Sequence, residues 1–388
     1  MNYHMSHVHD VLIVGGGPSG LNTARLLARE GLDVLLLEQK THIGENVICT
    51  GIIGNDAFEE FKIPTSSVIQ EIQNVKIVSP FETSLVYRHP QPFAYMVDRG
   101  LFDRNLADLF ENNGGQIACR NQVVDIHVHE KFAEVLSDRG TKDPRKYRAQ
   151  VVLIASGINQ KINKRLGLGF ARDYLHGAQA EMHVDGIDET TLFFGNSIAP
   201  GVFGWAVPIQ NDRVKVGLLT KKDPKKYFSN LVKKLAPDMN TETMKNRVQY
   251  KAIVQGVQSR TFSDRIMVIG EAAGQVKTTT GGGVYYGMLC GRIAAEIIIT
   301  KIKVGAWSVQ DLAVYEQSWK SAILKELLIG YYARKLCMKL SDTQIEKLFV
   351  LAKNNGIFPY ISKKGSFDWH SDLILGLAKK TPFFKSFF

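Results

Sequence analysis

The sequence predicts an α/β protein: a Rossmann-like dinucleotide-binding domain, an antiparallel β-sheet domain inserted into it, and a helical C-terminal cap. Three observations carry this. Short apolar runs at Asp10–Val14, Val34–Leu37, Val151–Ala155 and Ile266–Gly270 suit buried parallel strands. Between residues 181 and 250 the pattern changes to alternation (MHVDGI, TTLFFG, RVKVGLL) broken by Gly and Pro, as in an antiparallel sheet. From Ser308 onward the chain reads as helix, with Pro359 and Gly365 as breaks.

In chain order, the first strand is followed by glycines and by a helix from Ser19 to about Glu30, with Leu21, Ala24, Leu27 and Ala28 on one face. Val34–Leu37 ends at Glu38 and completes a strand–turn–helix–strand unit. Asp98 suits the N-cap of a helix over Gly100–Asn112, stopped by Gly114 and Gly115. A further helix is expected over residues 284–301. The expected organisation is a discontinuous nucleotide domain (1–75, 96–180 and 255–305), a substrate-facing sheet (76–95 and 181–254) and a helical region (306–388).

The 388 residues are 45% apolar and 22% charged, which allows a sizeable core. Four dispersed cysteines (Cys49, Cys119, Cys290, Cys337) form no Cys-x-x-Cys pair, which argues against a metal site or a disulfide framework and for a reducing compartment. The polar N-terminus is not that of a signal peptide, and no apolar run reaches the roughly 18 residues of a membrane span. A cytoplasmic protein is expected. Of the net charge of +10, the stretch Lys320–Phe388 carries +7, from 12 Lys and Arg against 5 Asp and Glu. Its basic residues alternate with large apolar ones (LILGLAKKTPFFKSFF), which suits a soluble basic face or peripheral contact with the inner face of a membrane, and no nucleic-acid module.

Gly15, Gly17 and Gly20 have the Gly-x-Gly-x-x-Gly spacing. The first permits the tight turn, the second admits a pyrophosphate, and the third lets the helix pack on the strand. The helix N-terminus offers free N–H groups and partial positive charge. Glu38, 18 residues after Gly20, suits the adenosine ribose hydroxyls. A second glycine-rich turn, Gly270-Glu271-Ala272-Ala273-Gly274 with Thr280-Gly281-Gly282-Gly283-Val284, follows a strand and opens a helix. An acid and a helix tip there suit the ribityl and flavin end of FAD; NAD has no use for a second site.

The set resembles the p-hydroxybenzoate hydroxylase type of flavoproteins, and within them the geranylgeranyl reductase family. The resemblance covers roughly residues 8–340 and rests on Gly15–Glu38, Glu45–Gly51 (ENVICTG), Asp98–Leu106 (DRGLFDRNL), Gly201–Pro208 (GVFGWAVP) and Gly270–Val284. It implies FAD as cofactor, with Ser19 and Glu38 at the ADP half and Val123 or Val124 beside the adenine. Cys49, Thr50 and Arg99 would line the flavin, and Glu271, Gly283 and Val284 its ribityl and ring. Phe203, Trp205 and Pro208 would wall a substrate cavity. Tyr285 and Tyr286 read as packing. Glu271 stands where the family pattern has Asp, and Ser156 where hydroxylase relatives carry Asp; the latter leaves the electron donor, NAD(P)H or ferredoxin, open.

The activity implied is reduction of C=C bonds in an isoprenoid chain by reduced FAD, with the proton donor unassigned and Cys49 a candidate by position. Alternatives are an aromatic monooxygenase or halogenase, a non-redox prenyl cyclase and a redox-sensing flavoprotein. The halogenase pattern Trp-x-Trp-x-x-Pro is met here only by Trp205 and Pro208.

Overall fold

The computed structural model describes residues 7–140, 144–210, 212–239, 247–354, 360–361 and 365–380. Pro359 and the terminal TPFFKSFF stretch lie outside them.

The strands 266–268, 145–154, 8–14, 34–37 and 116–118 form, in that order, a parallel sheet. Alternation along the first strand sends Val11 and Ile13 to one core and Leu12 and Val14 to another. The first core is filled from the helices Pro18–Arg29, Arg99–Glu111 and Val284–Lys301. A hairpin of Gln122–Val128 and Ala133–Asp138 pairs with the long strand Arg145–Ile154 and covers the second. Because the strands run the same way, Gly15, Glu38, Ala155 and Gly270 all emerge at one edge, the carboxyl ends where such sheets bind ligands.

The second sheet is ordered 249–255, 173–183, 213–220, 204–209, 190–193, 74–78, 84–88. All its pairings are antiparallel except that of 74–78 with 190–193. Helix Pro224–Leu235 covers one face with Phe228, Leu231 and Val232. The strand Asp173–His183 crosses the expected boundary at 180, because its pairing with 213–220 continues unbroken from His176 to His183. Ala94–Val97 pairs instead with 52–54 and 68–72 in a separate three-stranded sheet.

The long helix Val309–Cys337 opens on a Ser308–Asp311 capping box. It fastens the strand 266–268 and the segments on either side of it. Tyr315 donates to the Val268 carbonyl (2.7 Å), Trp319 to Thr261 Oγ1 (2.9 Å) and buried Arg334 to the Thr278 carbonyl (3.1 Å). Helices Asp342–Asn354 and Ser371–Lys380 complete the C-terminal region.

Candidate functional site

A cavity of about 1000 Å³ runs between the two sheets, at the upper end of the usual range for cofactor sites. The two glycine turns meet on it. The helices that follow them, Pro18–Arg29 and Val284–Lys301, pack through small residues. A Cβ on Gly287 would lie 2.1 Å from Ser19 Oγ, and one on Gly291 2.1 Å from Thr23 Oγ1. This close crossing brings both N-termini, Gly17 and Gly283, to the same cavity wall.

The front turn has the geometry of a phosphate cradle. Gly15 has φ +111°, and a Cβ there would sit 2.5 Å from the Ala155 carbonyl oxygen. One on Gly20 would sit 2.1 Å from the Gly15 carbonyl oxygen. Gly17 meets nothing within 4 Å, so its backbone borders open space. Neither N-terminus is capped by a side chain, which leaves N–H groups available to an anion. The buried Glu38 carboxylate accepts from Gly16 N–H (2.7 Å) and Lys40 N–H (2.9 Å). A carboxylate has about four lone-pair positions, so two remain for ribose hydroxyls.

Gly15, Gly17, Ser19, Glu38, Cys49, Thr50, Arg99, Val123, Glu271, Gly283 and Val284 all line the cavity, as do Phe203 and Trp205. Two expected residues do not. Gly20 lies behind the turn, where its lack of a side chain seats the helix on Gly15. Pro208 corrects the sequence reading. It sits at the opposite parity to Trp205 and Val207 on strand Gly204–Ile209, so its ring points to the other face of the sheet. Val124 is also outside the wall, while Tyr285 is on it and donates to Glu60 (2.6 Å). Ser156 turns inward on its own loop and donates to the Asn159 carbonyl (2.7 Å). Glu271 accepts from Val254 N–H at 3.4 Å and lies 3.7 Å from Lys251 Nζ.

Cys49 is on the loop between Ile48 and Gly51, with Arg99 beside it. Burial pushes its thiol up; the charges of Arg99 and Lys251 and the Gly51 backbone N–H reverse this and hold it below its ordinary value. Arg99 is fixed by a bidentate contact with Asp103, Nη2 to Oδ1 at 3.0 Å and Oδ2 at 3.2 Å, both side chains almost wholly buried. Burial pulls the Arg99 guanidinium down, but the Asp103 carboxylate more than offsets it and keeps Arg99 charged.

The structure adds a group that sequence reasoning missed. Gly365, Ser366, Phe367, Asp368 and His370 line the cavity and pack against the turn that begins at Lys277. Asp368 pairs with Lys277 at 2.6 Å, both side chains buried, and Lys277 also lies over the Phe367 ring at 4.3 Å. His370 Nδ1 meets Thr279 Oγ1 at 2.7 Å. Nothing local marked these residues, because roughly 90 positions separate the partners. Burial, aided by the Lys277 charge, lowers the His370 pKa to about 4.

That shift predicts a pH dependence. The unfolded imidazole takes up its proton near pH 6.5, the folded one only near 4. Between those values the unfolded state binds more protons, so stability is present above 6.5 and is lost as pH falls towards 4. The loss is on the order of 2–3 kcal/mol. Limited proteolysis of the C-terminal segment between pH 7 and 4.5 is expected to accelerate in the wild type and to accelerate less in His370→Gln.

The family model described as an NAD(P)-binding Rossmann-like domain matches residues 13–57. A digeranylgeranylglycerophospholipid reductase of Methanosphaerula palustris is 31% identical over 366 residues, covering 89% of this chain and 90% of the relative. One from Methanocaldococcus jannaschii is 29% identical over 357 residues, with 89% and 90% covered. Among solved structures, a geranylgeranyl bacteriochlorophyll reductase-like protein of Thermoplasma acidophilum superposes with a TM-score of 0.84 at 22% identity, covering 97% of each chain, a likeness of fold.

Proposed function

The chain belongs to the geranylgeranyl reductase family of FAD-dependent oxidoreductases, and from that membership we propose that its cleft reduces C=C bonds in the geranylgeranyl chains of a glycerophospholipid. The observation that carries the reading is the continuity of the cavity: the two-ended cofactor cradle opens directly onto an apolar chamber lined by Ile77, Leu85, Leu192, Phe203, Trp205 and Ile253. The cofactor is FAD; Gly15–Ser19 would hold its diphosphate, Glu38 its adenosine ribose and Gly281–Val284 its ring. In reduced form it would supply the hydride, which carries both electrons of the reduction.

The protein supplies shape and a proton. An unactivated alkene has no carbonyl to polarise, so the chamber walls hold it in place and exclude water. Cys49, at the wall and made more acidic by Arg99 and Lys251, is the residue we assign to deliver the proton to the second carbon. Arg99 then stabilises the thiolate until a proton returns. The electron donor is NAD(P)H or ferredoxin. We further propose that the C-terminal helices touch a membrane surface, since Leu328, Tyr332 and Val350 are exposed among Lys325, Lys335 and Lys347. No helix of the described residues is long and apolar enough to cross a membrane.

The experiment is anaerobic photoreduction of the purified protein, followed by mixing with a geranylgeranyl lipid. Reoxidation of the flavin together with gain of two hydrogens per double bond supports the reading. NADPH and oxygen consumption with a hydroxylated product identifies a monooxygenase instead, and turnover without electron consumption identifies a cyclase.

A further inference from the structure

The sheet face turned to the cleft is graded in polarity. Cross-strand pairing sets Ile77, Leu192, Trp205, Gly217, Gln179 and Gln249 in one row. Side chains in such a row share a face. The row runs from aliphatic and aromatic groups at one end to two amides at the other. The Trp205 indole lies over Gly217, where a Cβ would come within 2.4 Å of the ring. The next rows continue the trend, pairing Val207 with Lys215 and Glu181, then Ile209 with Arg213.

At this polar corner a second cavity of about 410 Å³ is lined, among the described residues, by Arg213, Lys215 and Arg247 against a single acid, Glu181. It shares Val47, Cys49, Gln179 and Gln249 with the large cavity. Glu181 reaches Arg213 at 3.1 Å and Lys215 at 3.6 Å, which orients both cations and leaves the lining cationic by two charges. Lys215 also donates to the Thr50 carbonyl (3.4 Å), and Gln179 to the Cys49 carbonyl (3.3 Å), so the corner is built onto the loop that carries the thiol.

We propose that this corner is the subsite for the phosphate of the substrate's headgroup, with Arg213 and Arg247 as its specificity determinants. A phosphate there and prenyl carbons against Trp205 and Leu192 would lay an amphiphile along the polarity gradient, past Cys49. Arginine forks bind phosphate oxygens bidentately, and the partial exposure of Arg213 lets a headgroup enter from solvent. The assignment rests on the phospholipid reading above. The phosphates of a nicotinamide donor have the same chemistry, so the test separates the two.

The test uses the FAD-loaded protein and the variant Arg213→Gln/Arg247→Gln, which keeps Lys215. Binding is read by quenching of tryptophan fluorescence, independently of turnover, with geranylgeranyl phosphate and with uncharged geranylgeraniol. The expected result is a dissociation constant about tenfold or more higher for the phosphate in the variant, with no change for the alcohol. Raising salt from about 0.05 to 0.5 M weakens only phosphate binding by the wild type, and Arg213→Lys/Arg247→Lys recovers part of the loss. Equal affinity of wild type and variant for the phosphate overturns the proposal. So does an intact phosphate affinity with slowed flavin reduction by NADPH, which assigns the corner to the donor. Failure of the wild type to oxidise its flavin with either prenyl compound overturns the reductase reading while leaving the binding comparison interpretable.

Discussion

Gly15→Ala is expected to yield a folded but colourless protein. The substitution carries two penalties at one atom: backbone at φ +111°, and a methyl 2.5 Å from the carbonyl oxygen of Ala155, which directly follows the neighbouring strand and is itself hydrogen-bonded to Val14. Left-handed strain of about 1–2 kcal/mol and overpacking of about 1–3 kcal/mol together give a loss of roughly 2–5 kcal/mol. The turn relaxes by shifting away from Ala155, which moves the N–H groups of Gly17 and Ser19 out of register with a diphosphate. FAD content after purification and the urea midpoint measure both effects. Gly31→Ala is the control: its φ is +79°, but nothing lies within 4 Å of the added carbon. It is expected to cost about 1 kcal/mol and to retain FAD. Equal FAD loss in both variants would mean that the close approach to Ala155 is not what matters.

Arg99→Met is expected to have the largest effect on stability, because it leaves the Asp103 carboxylate buried without its partner. Breaking one side of a buried pair costs about 3–5 kcal/mol. Arg99→Met/Asp103→Leu, which removes both charges, is expected to recover most of it. A second readout follows from Cys49. Arg99 favours the thiolate, so its removal lets burial dominate and the thiol pKa rises. The pH profile of iodoacetamide alkylation of Cys49 therefore moves to higher pH in both variants, including the one whose stability is recovered. An unchanged profile would remove Arg99 from the account of proton delivery.

How much of this was legible in the sequence depended on whether the determinant was local. Buried parallel strands are continuous apolar runs, so Val34–Leu37 was readable as a strand, and a glycine-rich turn marked the start of the helix Val284–Lys301. The Asp98 cap was readable because the side chain and the N–H it accepts from, on Leu101, lie in one turn. The long strand Arg145–Ile154 was foreseen only from Val151 on, since its first half is half-exposed and carries charged residues. Pro208 was drawn to the cavity by a motif, whereas strand parity decides its direction. Lys277, Asp368 and His370 carried no signal, because their pairing depends on how the C-terminal helices return across the cleft, which no spacing encodes. The cationic corner is another such case: Lys215 and Glu181 meet only through sheet register.

In the proposed arrangement two helix tips hold one FAD between them. The most direct measurement is the absorbance spectrum of the purified protein, with titration of flavin-stripped protein by FAD and by FMN. This arrangement predicts a yellow protein with one FAD per chain and much weaker uptake of FMN, which lacks the adenylate that Gly17 and Glu38 would hold. A colourless protein that takes up no FAD, or one that binds FMN as tightly as FAD, would contradict it.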